Sequence, residues 1–163
     1  MNPPPTPLSL EFERRPPPPR DVVVATLRDF FAHRPEVRLA SLFGSVAMDR
    51  ANALSDVDVA VLVDPQALRA GAGYDFESEL VTRLMSALRF PKVDLAVLNG
   101  APSLLRFLVA RDGIVVRERE AGIAAEFRFE AIRDYIDFEP ARRIQRFYLR
   151  RSLGLPPEPE RLG

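Results

Sequence analysis

The feature that most restricts how this chain can fold is an apolar segment that opens with two carboxylates. Residues 56–63 read Asp-Val-Asp-Val-Ala-Val-Leu-Val, and the run of β-branched residues predicts a buried strand. Because residues i and i+2 of a strand share one face, Asp56 and Asp58 are expected to project together, opposite the valines. Paired carboxylates beside a core are costly unless a cation lies between them. Magnesium, bound together with a nucleoside triphosphate, is the cation that this pattern favours.

A Gly-Ser pair precedes Asp56, with ten residues between the pair and the aspartate. Gly44 and Ser45 follow the apolar segment 37–43, which predicts the preceding strand. A glycine at this point lets backbone N–H groups approach a phosphate closely, because no Cβ intervenes, and Ser45 adds a hydroxyl donor. Taken alone, each motif more often marks a turn or a loop. Their spacing between two strands predicts a phosphate-binding turn joined to a metal site.

A third carboxylate lies in another short apolar segment. Residues 93–98 are apolar apart from Asp94, and an aspartate in a buried strand requires a partner. If this strand lies beside residues 56–63, Asp94 completes a three-carboxylate site where two metal ions polarise a phosphate and activate a hydroxyl. The alternative is an edge position with Asp94 in water, paired with Lys92.

The spacing Gly-Ser, ten residues, Asp-x-Asp resembles the signature of the DNA polymerase β-like nucleotidyltransferases. The short length and residues 55–62 are similar to the minimal branch of that superfamily. More narrowly, the chain resembles the MntA-type antitoxins of HepT/MntA toxin–antitoxin pairs, whose tail is similar to residues 128–140. The resemblance covers residues 22–153. It implies an α/β fold in which helices flank a small mixed β-sheet, with further helices at the carboxyl end.

The resemblance also implies a protein adenylyltransferase. Such a protein uses ATP and two Mg²⁺ ions to attach AMP to a tyrosine of a partner HEPN-domain RNase, which silences that toxin. The residues that correspond to the family's triphosphate-binding positions are Gly44, Ser45 and Ser55. The residues that correspond to its metal-binding and catalytic positions are Asp56, Asp58 and Asp94. Asp94 would bind the catalytic metal and help to deprotonate the tyrosine hydroxyl.

The chain departs from the family pattern at Met48 and Asp49, where many relatives carry Arg-Gly. Neither residue can replace the contact of an arginine with phosphate, and an acid beside a triphosphate would repel it. One interpretation is that the adjacent Arg50 supplies the missing charge. The other is that this loop does not contact the nucleotide and that the protein neutralises its toxin by binding alone.

Composition predicts one small intracellular domain. Apolar residues make up 47% of the 163 residues, which is enough for a core. There is no cysteine, so no disulfide framework is expected. The formal net charge is zero, so we expect no direct binding of nucleic acid. The sequence has no signal-peptide pattern and no apolar run of membrane-spanning length, so a cytoplasmic location is expected. Lys92 is the only lysine, and the excess of arginine, together with abundant Ala and Pro, favours a GC-rich bacterial genome.

Three segments are predicted along the chain: a proline-rich arm over residues 1–20, a nucleotidyltransferase domain over residues 21–138, and a partner-contacting helix and tail over residues 139–163. In the domain, Asp21 is expected to cap a helix that ends near Ala32. Further helices are predicted near residues 75–89, from Pro102 onward, and over 121–138. The last helix, near residues 140–152, is basic, which fits either a solvated face or contact with the toxin or its RNA.

A third class of function is a nucleotidyltransferase for a small molecule, such as an aminoglycoside-type substrate. Enzymes of that class usually add a larger substrate-binding domain, for which this chain has little room. A neighbouring gene that encodes a HEPN protein would favour the two antitoxin hypotheses over this one.

Overall fold

The computed structural model describes residues 15–70 and 74–138, together with residues 142, 144, 148 and 152. The first fourteen residues of the proline-rich arm, the predicted loop at residues 71–73 and most of the predicted last helix lie outside the described residues.

Four strands form one mixed sheet in the order β3-β2-β1-β4. The strands are β1 (Val37–Phe43), β2 (Val57–Val63), β3 (Val93–Val97) and β4 (Ile114–Glu118). β1 pairs antiparallel with β2 and with β4, whereas β2 and β3 run parallel. Parallel neighbours require a crossover connection, and the helical segment between β2 and β3 supplies it. The small mixed sheet that the sequence resemblance implied is confirmed.

Helices cover both faces of this sheet. They are α1 (Arg20–Ala32), α2 (Gly44–Ala47), α3 (Pro65–Ala70), α4 (Tyr74–Leu88), α5 (Ser103–Asp112) and α6 (Ile123–Asp137), and a 3₁₀ turn (Leu98–Gly100) follows β3. Within residues 15–70 and 74–138, no helix combines the length and the apolar character needed to cross a bilayer.

The alternation of side chains along β2 divides the core into two layers, as the sequence predicted. The four valines of β2 pack with the buried residues of α1 and α4. Ala60 and Leu62 point to the opposite face, where they pack with residues of α5 and α6. The helix predicted near residues 75–89 is also confirmed as α4, and its residues Leu80, Leu84 and Leu88 are buried. Asp58 therefore starts on the face that belongs to α5 and α6.

Two local predictions were wrong. Asp21 does not cap α1, because the helix begins at Arg20 with Pro19 at the capping position and no side-chain cap bond. Pro19 can take this place because the first N–H groups of a helix have no partner inside the helix. Asp56 does not belong to β2, which begins at Val57. Asp56 lies instead at the end of the loop that leads into the strand.

Candidate functional site

Two of the acidic residues predicted from the sequence, Asp58 and Asp94, lie side by side where β2 and β3 pair. Asp58 is paired directly with Asp94 in the parallel ladder, so both side chains leave the same face of the sheet. β3 is an edge strand and Asp94 is exposed, whereas Asp58 is partly buried. Burial, followed by the charges of Asp94 and Asp56, raises the pKa of Asp58. The charges of Asp94 and Asp56 therefore act on the partly buried carboxylate of Asp58.

Gly44 lies against the carboxylate of Asp58. Phe43 pairs with Asp58 across β1 and β2, which brings the turn after β1 onto the start of β2. A Cβ on Gly44 would lie 2.0 Å from Oδ2 of Asp58. Gly44 also has a φ of +71°, a conformation that L side chains rarely adopt. Any side chain is excluded at this position on both grounds, and the turn backbone can approach the carboxylate only because the residue is glycine.

Ser45 and Ser55 lie at the two ends of the connection between β1 and β2. Ser45 belongs to α2, and its carbonyl accepts a hydrogen bond from the backbone N–H of Arg50 at 2.9 Å. The hydroxyl of Ser55 accepts a hydrogen bond from the backbone N–H of Asn52 at 2.9 Å. Ser55 thus closes the loop just before Asp56, while the nucleotide contacts of both serines remain predictions.

Asp49, one of the two residues at which the sequence departs from the resemblance, adopts a backbone conformation that a glycine would also favour. Asp49 has a φ of +57°, and aspartate is one of the few residues besides glycine that tolerate this left-handed region. Its side chain is 75% exposed and lies 3.8 Å from the guanidinium of Arg20. Aspartate can therefore occupy this position without disrupting the backbone path of the turn.

Arg50 lies beside the methionine that replaces the family's arginine. Its Nη2 is 2.6 Å from Sδ of Met48. The hydrogen bond from Arg111, and to a smaller extent the charges of Arg111 and Arg50, lower the pKa of Asp112. The guanidinium of Arg50 therefore contacts the turn after β1, and its charge also acts on Asp112 at the end of α5.

Arg20 is a residue of this region that the sequence did not indicate. Its Nη1 donates a hydrogen bond to the carbonyl of Ala47 at 3.4 Å, in addition to its ion pair with Asp49. Arg20 is far from the motif along the chain and starts a different element, so no local pattern could have revealed this contact.

Magnesium fits the donors that the chain brings together. All three donors are carboxylates, the ligand class that Mg²⁺ prefers, and a bound cation would offset the burial and the like charges that together raise the pKa of Asp58. Across the described part of the chain, no three acidic or histidine side chains converge into a complete metal-binding cluster. Mg²⁺ commonly takes one or two carboxylates and completes its shell with water and phosphate oxygens. The donor set therefore suits a metal that binds together with a nucleotide.

Comparisons with known proteins point to one family. Residues 25–121 match the family model described as polymerase beta, nucleotidyltransferase. Among solved structures, a chain from a crystal structure of a toxin–antitoxin with AMP-PNP is 27% identical, with a TM-score of 0.57 over 77% of this chain and 93% of that chain. A chain from the toxin–antitoxin MntA-HepT is 26% identical, with a TM-score of 0.52 over 77% of this chain and 91% of that chain.

A further similar chain belongs to the structure of a tri-AMPylated Shewanella oneidensis HEPN toxin in complex with an MNT antitoxin. It is 26% identical, with a TM-score of 0.52, and the match covers 77% of this chain and 90% of that chain. No curated protein matches this chain significantly.

Replacing Gly44 with alanine should lower the free energy of unfolding by about 1–3 kcal/mol, since the new Cβ meets Asp58 and the backbone conformation is strained. The loss should shrink in an Asp58→Ala background, where the obstructing carboxylate is gone and only the backbone strain and a 3.2 Å contact with the Cβ of residue 58 remain. Urea denaturation of the four proteins of this cycle measures both values. Gly100→Ala is the matched control because nothing lies within 4 Å of its added Cβ. Equal losses in the two backgrounds would show that the contact with Asp58 has no energetic weight.

The raised pKa of Asp58 predicts a pH-dependent effect of Asp58→Asn in metal-free buffer. Because the folded state holds the proton of Asp58 more tightly than the unfolded state does, protonated Asp58 favours folding. This contribution is fully present below the unfolded pKa of 3.8 and is lost as pH rises through the folded pKa. The melting temperature of the variant, relative to the wild type, should therefore increase from about pH 3 to about pH 7. Asp112→Asn should show the opposite trend, because Arg111 lowers the pKa of Asp112. A difference for Asp58→Asn that stays constant with pH would contradict this account.

Proposed function

The chain belongs to the polymerase beta nucleotidyltransferase family, and we propose that it is an antitoxin that transfers AMP from ATP to a tyrosine of a cognate HEPN-domain RNase toxin. The observation that carries the proposal is the pairing of Asp58 with Asp94 next to Gly44. Support also comes from the identity of 26–27% to chains of toxin–antitoxin structures, one with AMP-PNP and one with a tri-AMPylated HEPN toxin.

In this proposal the turn after β1 holds the triphosphate. Because Gly44 lacks a Cβ, the backbone of the turn lies against the carboxylate of Asp58. A metal-bound triphosphate held by Asp58 would therefore lie next to the backbone N–H groups of the turn and the hydroxyl of Ser45. Ser55, at the far end of the same connection, is the further proposed nucleotide contact.

Two Mg²⁺ ions are the proposed cofactors. Asp56 and Asp58 would bind both ions, and Asp94 would bind the catalytic one. When bound, Mg²⁺ neutralises charge on the phosphates and favours deprotonation of an attacking hydroxyl. Oxygen donors, and an environment that disfavours the bare carboxylate of Asp58, support this assignment.

The proposed reaction is a displacement at the α-phosphorus of ATP. The tyrosine oxygen forms a bond to this phosphorus while the bond to the bridging oxygen breaks, and pyrophosphate leaves with that electron pair. Asp94 is exposed at the edge of the sheet, so an incoming protein side chain can reach it, and we assign it uptake of the hydroxyl proton. The remaining work of the site is positioning and charge stabilisation.

Arg50 is the proposed replacement for the arginine that the turn lacks. Its guanidinium contacts Met48, the residue at the family's arginine position. An arginine can offer several N–H donors to phosphate oxygens. Arg50 thus places a positive charge next to Met48, the position at which the turn lacks an arginine.

The proposal assigns catalysis to residues 21–138 and contact with the toxin to residues 139–163, with residues 1–20 as an arm outside the catalytic domain. An RNase toxin acts where cellular RNA is found, so the cytoplasm is the proposed location.

A second candidate function is neutralisation by binding alone. The observation that favours it is the exposed acid Asp49 in the turn proposed to hold the triphosphate. Like-charge repulsion there would weaken ATP binding unless Arg20 and Arg50 offset it.

The two candidates are separated by incubating the chain with Mg²⁺, ATP and the cognate toxin. ATP labelled at the α-phosphate should label the toxin, whereas ATP labelled at the γ-phosphate should not, because pyrophosphate leaves. The double variant Asp56→Asn/Asp58→Asn should transfer AMP at least about 100-fold more slowly. The control variant Asp75→Asn on α4 should transfer AMP at the wild-type rate. Neutralisation of the toxin by wild type and double variant alike, with no AMP on the toxin, would exclude the catalytic candidate.

Arg50→Ala should raise the KM for ATP by about 10-fold, because a charge-assisted contact with phosphate is lost. Arg50→Lys should lose less, since it keeps the charge without the planar set of donors. Arg83→Ala on α4 is the control, and all three variants should melt near the wild-type temperature, because these side chains are exposed. An unchanged KM for ATP in Arg50→Ala would remove Arg50 from the site.

A further inference from the structure

α6 has a second apolar face that the fold does not bury. Its inner face, with Ile123 and Phe127 among its residues, packs against the sheet. On the opposite side of the same helix, Phe129 is 69% exposed, Ile132 40% and Ile136 61%. A surface helix of a monomer normally has one apolar stripe and one polar face. A contiguous exposed apolar patch therefore indicates an interaction surface.

The spacing of this outer face fits a helix as its partner. Ala125, Phe129, Ile132 and Ile136 follow one another at intervals of four, three and four residues, which is the a/d pattern of a coiled-coil seam. Ala125 is also exposed. We call these four residues the outer seam of α6. Such a seam packs knobs into holes against a second helix with a similar seam.

We propose that the outer seam pairs with the outer seam of a second copy of this chain, with the two α6 helices antiparallel. The charges along one edge of the seam support this occupant. The d residues of the seam are Ala125 and Ile132. Glu126 and Arg133 each directly follow one of them, so they lie seven residues apart on the same edge. In an antiparallel two-fold pair, equivalent edges meet. Glu126 of each copy then faces the partner's Arg133, so the symmetry forms the ion pair twice.

The same register pairs the apolar residues without a gap. When Phe129 faces the partner's Ile132, Ala125 faces the partner's Ile136, and all four seam residues of each copy are covered. A parallel pair would instead bring Arg128 opposite the partner's Arg133, a repulsive contact of like charges on both sides. The charges therefore favour the antiparallel arrangement and disfavour the parallel one.

Arg142, one of the described residues after α6, contacts the helix beside the outer seam. Arg142 donates a hydrogen bond to the carbonyl of Tyr135, and its guanidinium lies 3.7 Å from the centre of that ring. It also donates to the hydroxyl of Ser103 at the start of α5. Tyr135 lies about 100° around the helix from Ile136, so these contacts of Arg142 lie beside the outer seam and not on it.

This inference does not depend on the nucleotide chemistry, and the oligomeric state tests it. Sedimentation equilibrium of the full chain should show a dimer at about 100 μM. Ile136→Asp should weaken the dimer at least 10-fold, whereas Val22→Asp, at a 48% exposed position of α1, should leave it unchanged. Circular dichroism should show both variants folded, since both sites are exposed.

Charge reversal distinguishes self-pairing from other occupants of the seam. Glu126→Arg and Arg133→Glu should each weaken the dimer about 5-fold or more, because each places like charges opposite one another twice. The double variant should recover the wild-type dissociation constant. A monomeric wild type, which would result if another protein or another segment of this chain covered the seam, overturns the proposal. A double variant that does not recover the dimer overturns it as well.

Discussion

The contact between Gly44 and the carboxylate of Asp58 is the constraint on which the rest of the site depends. It requires the register that pairs Phe43 with Asp58 across β1 and β2 and Asp58 with Asp94 across β2 and β3. A slip of one residue would move every side chain of β2 to the other face. Asp58 would then point into the layer of α1 and α4, and the valines would meet Gly44. The same alternation of side chains along β2 therefore determines both the packing of the core and the position of the site.

The site is electrostatically unfavourable in the free protein. Asp58 is partly buried, it is paired in register with a second acid, and its pKa is raised as a result. Functional sites commonly retain such destabilising arrangements, because the ligand that relieves them is the one that the site binds. Arg20 and Arg50 place positive charge at the neighbouring turn, where Asp49 adds a further acid. Positive and negative side chains thus lie side by side at this turn before a triphosphate binds.

Alternating valines predicted both β2 and the face of Asp58 from the sequence, and β1 was predicted with its observed bounds. The sequence could not predict that Asp58 and Asp94 are paired in register, because strand neighbours are chosen by long-range packing. The approach of Asp58 to Gly44 and the left-handed backbone of Asp49 depend on the same register. The apolar residues of α6 were visible in the sequence, but periodicity alone could not say that the face of Phe129 stays outside while that of Phe127 is buried.

The most direct measurement of the central claim is a crystal structure of the chain grown with Mg²⁺ and a non-hydrolysable ATP analogue. The account predicts metal density between the carboxylates of Asp58 and Asp94, with the triphosphate against the backbone of Gly44 and Ser45. A nucleotide bound elsewhere, or bound at the turn with no metal on these carboxylates, would contradict it.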